Sequence, residues 1–195
     1  MILYYAPGAC SLADHIALHE AGLSFDRVKV DLRSHTIEDG RDFRAINPKG
    51  YVPALVLEGG ELLTENIAIL AWIADQTSPF APAGKLGRYR LLEALAFIST
   101  EIHKAFKPFF APGSTDGDKT AAGATITKRL GFLAGQIDGA YLFGPTVTVA
   151  DAYLFVMLTW AKKNAVEIPP ALTAYAERMR ARPAVQLALQ HEGLA

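Results

Sequence analysis

This sequence has a single cysteine, no long apolar run and almost no net charge. One cysteine, Cys10, excludes an internal disulfide framework and any cysteine-based metal cluster. The formal net charge is −1 and the basic residues are not clustered, so nucleic acid is not an expected partner. The apolar runs 67–74 and 152–158 are far shorter than a membrane span, and the first residues lack a signal-peptide pattern. We therefore expect a cytoplasmic protein with no nucleic-acid or membrane partner.

The composition is that of a globular protein, with 51% apolar and 20% charged residues. A chain of 195 residues is long enough to bury a substantial core in one large domain or two small ones.

The first part of the chain alternates strands and helices. An apolar run at 2–5, a helical pattern at 11–20 and an alternating run at 25–31 predict a βαβ unit with parallel strands. Further along, the sequence predicts a weak helix at 37–45, a hairpin of strands 54–58 and 61–63, and an apolar helix at 67–74. This order predicts an α/β N-terminal domain.

The pattern changes at residues 77–84, where proline, glycine and serine interrupt every periodicity. Beyond this break no stretch resembles a strand, and helical patterns occur at 86–106, 119–140, 149–164, 172–181 and 184–190. We therefore predict an α/β domain at 1-78, a linker at 79-85 and an all-α helical domain at 86-195.

One aspartate in the helical half invites a catalytic interpretation, but its spacing predicts a role in folding. Thr148 and Asp151 are spaced as in a capping box, in which the carboxylate reaches back to the N–H of the capping residue. We assign Asp151 to the start of a helix and not to chemistry.

The segment 47–57 (NPKGYVPALVL) predicts a turn, a residue held extended before a proline, and an apolar strand. Pro53 has no N–H for a ladder and pushes Val52 into an extended conformation. The backbone groups of Val52 then lack sheet partners and could pair with an extended peptide ligand. A trans junction between loop and strand is the plainer alternative, and a cis Val52–Pro53 bond is a minority state for such peptides.

Cys10 lies just before the helix predicted at 11–20. The positive end of a helix dipole lowers the pKa of a nearby thiol, which favours a reactive thiolate. The residue three positions on is Ala13, so no C-x-x-C disulfide can form and a partner sulfur must come from elsewhere. A free cysteine is also commonly a small buried hydrophobe, and the residues alone leave both interpretations open.

Residues 64–66 (TEN) precede the helix predicted at 67–74 and suggest an anion site. Free N–H groups at a helix N-terminus hold carboxylates, and Glu65 could bind an ammonium beside the carboxylate. Helix capping alone would also explain these residues. If Cys10, Val52 and this segment act together, they fit an extended peptide with an α-amino acid end and a central thiol, a description that glutathione meets.

Over essentially its whole length the sequence resembles bacterial glutathione S-transferases and is similar to the beta class. Residues 6–12 (APGACSL) resemble the cysteine loop, 47–55 (NPKGYVPAL) the cis-proline motif, 63–66 (LTEN) the Glu-Ser signature and 148–153 (TVADAY) the C-terminal capping box. The resemblance implies a thioredoxin-like N-terminal domain, an all-α helical C-terminal domain, a cis bond at Pro53 and a homodimer.

The resemblance also implies a role for each matching residue. Cys10 would face the glutathione sulfur together with His103, and these two are the implied catalytic residues. Val52 would pair with the cysteinyl backbone of glutathione, while Glu65 and Asn66 would hold its γ-glutamyl end. A histidine with a pKa near ~6.5 could donate to a sulfur anion or exchange its proton near neutral pH.

Three further residues are implied glutathione contacts, and three positions depart from the class. Lys104 and Phe106 match residues that reach glutathione, partly from the neighbouring subunit. His35 stands where the class often has a lysine for the glycyl carboxylate, so that contact becomes pH-dependent. Asn66 replaces the usual serine, and Ala96 replaces an asparagine that lines the cleft in some members.

The implied function is conjugation of the glutathione thiolate to hydrophobic electrophiles, a detoxification reaction. Glutathione would be a co-substrate, and we predict no bound cofactor and no metal. Phe109, Phe110 and Trp160 would line the electrophile site. Two alternatives stay open, namely disulfide exchange through Cys10 and a non-catalytic scaffold that binds a protein partner. The retained site residues favour an enzyme over the scaffold.

Overall fold

A five-stranded sheet with two helices is followed along the chain by a bundle of helices. The computed structural model of the protein describes residues 1–77 and 80–195. The sheet half contains β1 (Ile2–Tyr5), α1 (Leu12–Glu20), β2 (Asp26–Asp31), β3 (Thr36–Ile37), β4 (Ala54–Val56), β5 (Leu62–Thr64) and α2 (Asn66–Gln76). The helical half contains α3 (Gly87–Phe97), α4 (Lys107–Phe110), α5 (Asp116–Ala134), α6 (Val149–Lys163), α7 (Pro170–Arg180) and α8 (Pro183–His191). The predicted fold class is confirmed.

The sheet brings two of the predicted site segments to one edge. Its strand order is β3-β2-β1-β4-β5. β1 pairs in parallel with β2, which confirms the predicted βαβ unit, and β4 pairs antiparallel with both β1 and β5. Because Tyr4 near the end of β1 pairs with Ala54 at the start of β4, the loops that carry Cys10 and Val52 leave the sheet side by side.

The helix predicted at 37–45 is wrong. The chain forms β3 and then only a single 3₁₀ turn at Phe43–Ala45. Gly40 has a left-handed backbone (φ 85°), so the chain reverses instead of continuing a helix. Asp42 then caps the 3₁₀ turn by accepting from the Arg44 N–H at 2.8 Å.

The helix predicted at 119–140 has different ends in the structure. It begins at Asp116, because Thr115 and Asp118 form a capping box that was not predicted from the sequence. It ends at Ala134, where Gly135 follows and Gly139 adopts a left-handed backbone (φ 103°) that no helix continues through.

The helix predicted at 86–106 is interrupted where it passes the site. α3 gives way to a π-helical turn at Ile98–His103 and a 3₁₀ turn at Lys104–Phe106. Turns of the π type are rare and are frequently found at functional sites. This one carries Ser99 and His103 on its inner side, where both line a cavity.

α6 is the central element of the core. Every residue from Val149 to Leu158 is buried, and the helix packs against α1, α2, α3 and α7. Full burial of a leucine, phenylalanine or methionine side chain stabilises the fold by about 1.5–3 kcal/mol. The contacts with α1 and α2 therefore fix the sheet half against the helical half on both sides of the site.

The predicted division into 1-78, 79-85 and 86-195 stays a prediction. Its first boundary falls on Ser78 and Pro79, which lie outside the described residues. None of the described helices is both long and apolar enough to cross a lipid bilayer.

Candidate active site

Val52 lies just before β4, and its backbone N–H and C=O take no part in the hydrogen bonds of the sheet. The Val52–Pro53 peptide bond is cis, as the resemblance implies. Within the part of the chain that the structure describes, neither the N–H nor the C=O of Val52 has a backbone partner. The carbonyl oxygen lies 3.7 Å from Cys10 Sγ, a weak contact from a thiol donor. Both groups can therefore pair with an added extended segment.

Cys10 lies one residue before Ser11, the cap of α1, and is half-buried. Loss of hydration, with the nearby Asp14 carboxyl as the second cause, raises the pKa of the Cys10 thiol to about 12. The N–H groups of Ser11 and Cys10 itself lower this pKa, but their effect is smaller than the loss of hydration. The predicted lowering of the Cys10 pKa is therefore wrong.

Glu65 holds the start of α2 in an unusual backbone conformation (φ 73°) and faces two donors. Its Oε1 accepts from the Tyr51 hydroxyl at 2.7 Å and from the ammonium of Lys49. These two hydrogen bonds lower the pKa of Glu65. Lys49 also donates to the Thr64 hydroxyl at 3.0 Å. An ammonium therefore fits the position in front of Glu65, as the sequence predicts for a ligand.

Asn66 turns its side chain into the protein. With its amide oriented to suit the surrounding acceptors, Nδ2 donates to Asp14 Oδ2 at 2.6 Å and to the Cys10 carbonyl at 3.2 Å. Asp14 is fully buried, and burial raises the pKa of its carboxyl well above the usual range. The Asn66 amide is thus committed to holding the Cys10 loop, and its backbone N–H at the start of α2 is left for a ligand.

His103 shares a hydrogen bond of 2.6 Å between its Nδ1 and the Tyr153 hydroxyl. The ring also packs edge-on against Trp160, with 5.0 Å between centroids. Burial, with the charge of Lys104 as a second cause, lowers the pKa of His103 to about 4. The imidazole is therefore neutral at pH 7, and the expectation that it exchanges its proton near neutral pH is wrong for this geometry.

Two cavities meet at this site. A mixed polar cavity of about 540 Å³ is lined by Cys10, Tyr51, Val52, Pro53, Glu65, Asn66, Ile67, Ser99, His103, Lys104 and Tyr153. A more apolar cavity of about 580 Å³ lies beside it, and its lining includes Cys10, Tyr51, Val52, Leu12, Leu32, Phe110, Trp160, Leu189 and Leu194. Both volumes lie within the range of ~300–1,000 Å³ that is usual for small-molecule sites. Cys10, Tyr51 and Val52 line both cavities and so mark the junction.

The remaining predicted residues divide into three groups. Phe110 and Trp160 line the apolar cavity and Lys104 lines the polar one, while contact of Lys104 with glutathione stays a prediction. His35 Nδ1 bonds the Gly50 carbonyl at 3.0 Å, and His35 is outside the lining of both cavities. Phe109 lies instead along a separate groove beside α5.

The prediction that Phe106 contacts glutathione is wrong for this structure. The Phe106 side chain is fully buried and packs against Phe109, Phe110 and Trp160, with 5.5 Å between the Phe106 and Trp160 rings. Phe106 is the last residue of the 3₁₀ turn that follows the π-helical turn, and its side chain lies in the core. A ligand cannot touch it without repacking these rings.

Two family models match the chain. One, for the glutathione S-transferase N-terminal domain, matches residues 9–76, and the other, for the C-terminal domain, matches residues 68–178. The chain belongs to the glutathione S-transferase family.

Individual relatives span the whole of this glutathione S-transferase. It is 44% identical over 200 residues to glutathione S-transferase GstA of Escherichia coli O157:H7, with both chains fully covered. A solved sphingomonad glutathione S-transferase complexed with glutathione has a TM-score of 0.93 at 50% identity. The bacterial beta-class glutathione S-transferase of Sphingomonas chungbukensis has a TM-score of 0.91 at 50% identity. Each of these two matches covers 100% of this chain and 100% of the solved chain. The resemblance to bacterial transferases of the beta class is confirmed.

Three residues of the transferase site were not predicted from the sequence. Asp14 and Tyr153 lie behind Asn66 and His103, and Lys49 lies in front of Glu65. Asp14 gave no usable signal, because an aspartate in the first turn of a helix predicts an exposed side chain favoured by the helix dipole, and aspartate is rarely fully buried. Tyr153 gave no signal of its own, since a tyrosine in an apolar helix predicts core packing.

Proposed function

We propose that this glutathione S-transferase conjugates the glutathione thiolate to hydrophobic electrophiles. The observation that carries the proposal is the meeting of a mixed polar cavity and a more apolar cavity at Cys10 and Val52. A peptide thiol bound in the first cavity, with its sulfur near Cys10, faces an electrophile bound in the second. The thiol proton of glutathione passes to solvent, and the sulfur then forms a bond to the electrophilic carbon. On a chlorinated aromatic ring the carbon–chlorine bond breaks and chloride leaves.

The polar cavity offers a matching group for each part of glutathione. The unused N–H and C=O of Val52 pair with the cysteinyl backbone. The free N–H groups at the start of α2 hold the γ-glutamyl carboxylate, and Glu65 holds the α-ammonium in the place that Lys49 takes here. Lys104 at the cavity wall is a cation available to the glycyl carboxylate, whereas His35, which the resemblance implies for this contact, bonds the Gly50 carbonyl outside the cavity lining.

Two neutral groups stabilise the glutathione sulfur as an anion. With a pKa of about 12, Cys10 keeps its proton and donates an S–H bond to that sulfur. Burial raises the pKa of Tyr153, so its hydroxyl stays protonated and donates to His103 Nδ1. The neutral imidazole then carries its proton on Nε2 and donates from there. Donors that need no rearrangement at the moment of reaction stabilise developing charge most effectively.

The same chemistry argues against Cys10 as the nucleophile of disulfide exchange. A thiol with a pKa of about 12 is thiolate in only roughly 1 part in 10⁵ at pH 7. The scaffold alternative does not account for two ligand-sized cavities that meet at retained polar groups.

Calorimetric titration with glutathione tests the binding site. Glu65→Gln removes a charge-assisted bond worth about 1.5–3 kcal/mol and should weaken binding about 10- to 100-fold. Glu61→Gln is the matched control, since Glu61 lies four residues earlier in the same hairpin and is exposed. Absence of binding to the wild type at millimolar glutathione would overturn the proposal.

Conjugation of a chlorinated nitroaromatic tests the chemistry. Cys10→Ala should retain activity within roughly tenfold, or ~1.4 kcal/mol of barrier, because Cys10 only donates to the reacting sulfur. His103→Ala should reduce conjugation more strongly than Cys10→Ala. Complete loss of conjugation in a folded Cys10→Ala variant would show that Cys10 is essential to the transferase chemistry and would contradict its role as a donor only.

We also propose a cytoplasmic homodimer. A lone free thiol suits a reducing compartment, and the family resemblance implies the dimer. Tyr89 of α3 and Phe132 of α5 are 67% and 56% exposed, an amount of apolar surface that suits burial against a second subunit. Light scattering should give about twice the 21.0 kDa of the chain. A monomer mass at micromolar concentration would contradict the dimer.

A further inference from the structure

Three of the five histidines of the chain meet between the first and last helices, away from both cavities. His15 and His19 are four residues apart on α1 and therefore lie on one face of that helix. His191 is the last residue of α8, which packs against α1. One ring nitrogen from each histidine lies within 4.8 Å of the other two.

The spacing of two of these nitrogens already matches a metal site. His19 Nε2 and His191 Nδ1 are 3.3 Å apart. Two imidazole nitrogens that bind one tetrahedral zinc ion at ~2.0–2.1 Å are separated by roughly 3.3–3.4 Å. The distance between this pair of nitrogens therefore equals that between two ligands of one zinc ion.

The third histidine supplies a buried nitrogen that has no hydrogen-bond partner. His15 is fully buried, and among the described residues its Nε2 has no partner. Its Nδ1 lies 2.9 Å from Glu192 Oε1, which fixes the ring and leaves the Nε2 lone pair as the free ligand. A carboxylate on the far nitrogen is the usual outer-shell partner of a histidine that binds zinc.

We infer that His15, His19 and His191 form a binding site for a divalent ion of the zinc type, with solvent water completing a tetrahedron. Imidazole nitrogen suits zinc, copper and nickel, whereas magnesium and calcium prefer oxygen ligands. The ion would join α1 to α8 and so tie the C-terminal helix to the sheet half. Glu192 also accepts from the Gly8 N–H at 2.8 Å, which connects this site to the loop that carries Cys10.

Arg27 is the feature that opposes a cation here. Its guanidinium lies 2.6 Å from His191 Nδ1, on the nitrogen that the ion would use. Arg27 is exposed, so its side chain can move into solvent when an ion enters. Removing its charge should therefore tighten the binding of the ion, and this makes Arg27→Gln a sharp test of where the ion binds.

The experiment is calorimetric titration of the full-length chain with Zn²⁺, repeated with Co²⁺ to record the visible absorption of a tetrahedral ion. A Cys10→Ser background removes the only thiol that could bind either metal. We expect one ion per chain, affinity lowered at least ~100-fold in His19→Ala and in His191→Ala, and affinity raised in Arg27→Gln. His35→Ala is the matched control, since it removes a histidine outside the cluster and should leave the affinity within about twofold.

Four results would overturn the assignment. They are no binding in the wild type at millimolar Zn²⁺, binding that disappears with Cys10→Ser, binding that survives His19→Ala, and unchanged affinity in Arg27→Gln. His15→Ala is avoided because His15 is buried and its loss could unfold the chain. His19 and His191 are only partly buried, and circular dichroism shows whether their variants stay folded.

Discussion

Two fully buried carboxyl groups, Asp151 in the helical half and Asp14 in the sheet half, differ in how they are satisfied. Each carboxylate oxygen of Asp151 accepts two hydrogen bonds. Oδ1 accepts from the Leu142 N–H at 2.8 Å and the Tyr175 hydroxyl at 2.6 Å, and Oδ2 accepts from the N–H and hydroxyl of Thr148, each at 2.7 Å. Asp14 Oδ2 accepts from Asn66, whereas Asp14 Oδ1 has no partner among the described residues.

The difference separates folding from function. A buried polar group that is fully bonded rigidifies its surroundings, and Asp151 does this for the start of α6. A buried group left partly unsatisfied destabilises the fold, so it persists where another requirement holds it. Asp14 lies behind the Asn66 amide that bonds the Cys10 carbonyl, so it supports the loop that carries Cys10. We therefore treat Asp151 as structural and Asp14 as a positioning residue of the site.

Among these substitutions, Asp151→Ala should cause the largest loss in the free energy of unfolding. A small loss would contradict the structural role that we assign to Asp151. The substitution removes the acceptor of four buried donors, namely the N–H of Leu142, the N–H and hydroxyl of Thr148 and the hydroxyl of Tyr175, and each donor left unpaired costs ~1–3 kcal/mol. We expect a loss of at least ~3 kcal/mol in the free energy of unfolding. Urea denaturation at fixed protein concentration measures it, because dimer formation would make stability depend on concentration.

Asp118→Ala is the control for that loss. Thr115 and Asp118 form the same capping box at the start of α5, but on the surface. Water can satisfy the donors that Asp118 leaves behind, so the loss should be clearly smaller. Equal losses at Asp118 and Asp151 would show that the capping box, and not the buried network, accounts for the stability.

Tyr175→Phe sharpens the comparison with a smaller change. It keeps the buried ring and removes only the hydroxyl that donates to Asp151 Oδ1. We expect a loss of about 1–3 kcal/mol, since the acceptor keeps its bond from the Leu142 N–H. A Tyr175→Phe variant as stable as the wild type would contradict the importance of the fourth bond.

The sequence predicts the Asp151 half of this comparison better than the Asp14 half. A capping box is local, so the spacing of Thr148 and Asp151 predicts the bond that the structure shows at 2.7 Å. The partners Leu142 and Tyr175 come from other elements and have no local signal. Asp14 meets Asn66 across 52 positions of the chain, and only the crossover of α1 over the sheet brings them together.

Local signals also account for the errors in the site. The helix dipole at Cys10 is a local effect that predicts a lowered pKa, whereas burial is a tertiary effect that raises it and prevails. The same holds for His103, whose neutral state follows from burial beside Tyr153 and Trp160. Val52 and Glu65 were predictable because backbone conformation and helix ends are set by neighbouring residues.

Asp14→Asn should cause the smallest change in the free energy of unfolding, and this change should be a gain where the other substitutions cause a loss. The folded-state pKa of Asp14 is above the unfolded value near ~3.9, so the folded state binds the extra proton. The stability from that proton is fully present below about pH 4 and is lost as the pH rises through the folded-state pKa. Asparagine does not ionise, so the variant should gain stability relative to the wild type as the pH rises from 5 to 8.

The geometry of the two aspartates explains why only Asp14 tolerates this change. An asparagine at 14 can keep one oxygen toward Asn66 and place its NH₂ where Oδ1 has no partner, so no donor is lost. An asparagine at 151 must turn an NH₂ toward two donors, so Asp151→Asn should lose stability at every pH. Melting curves of both variants at pH 5 and pH 8 measure the difference, and a change of 1 kcal/mol corresponds to about 2–4 °C. An Asp14→Asn variant that loses stability as the pH rises would show that the Asp14 carboxylate is charged in the folded protein.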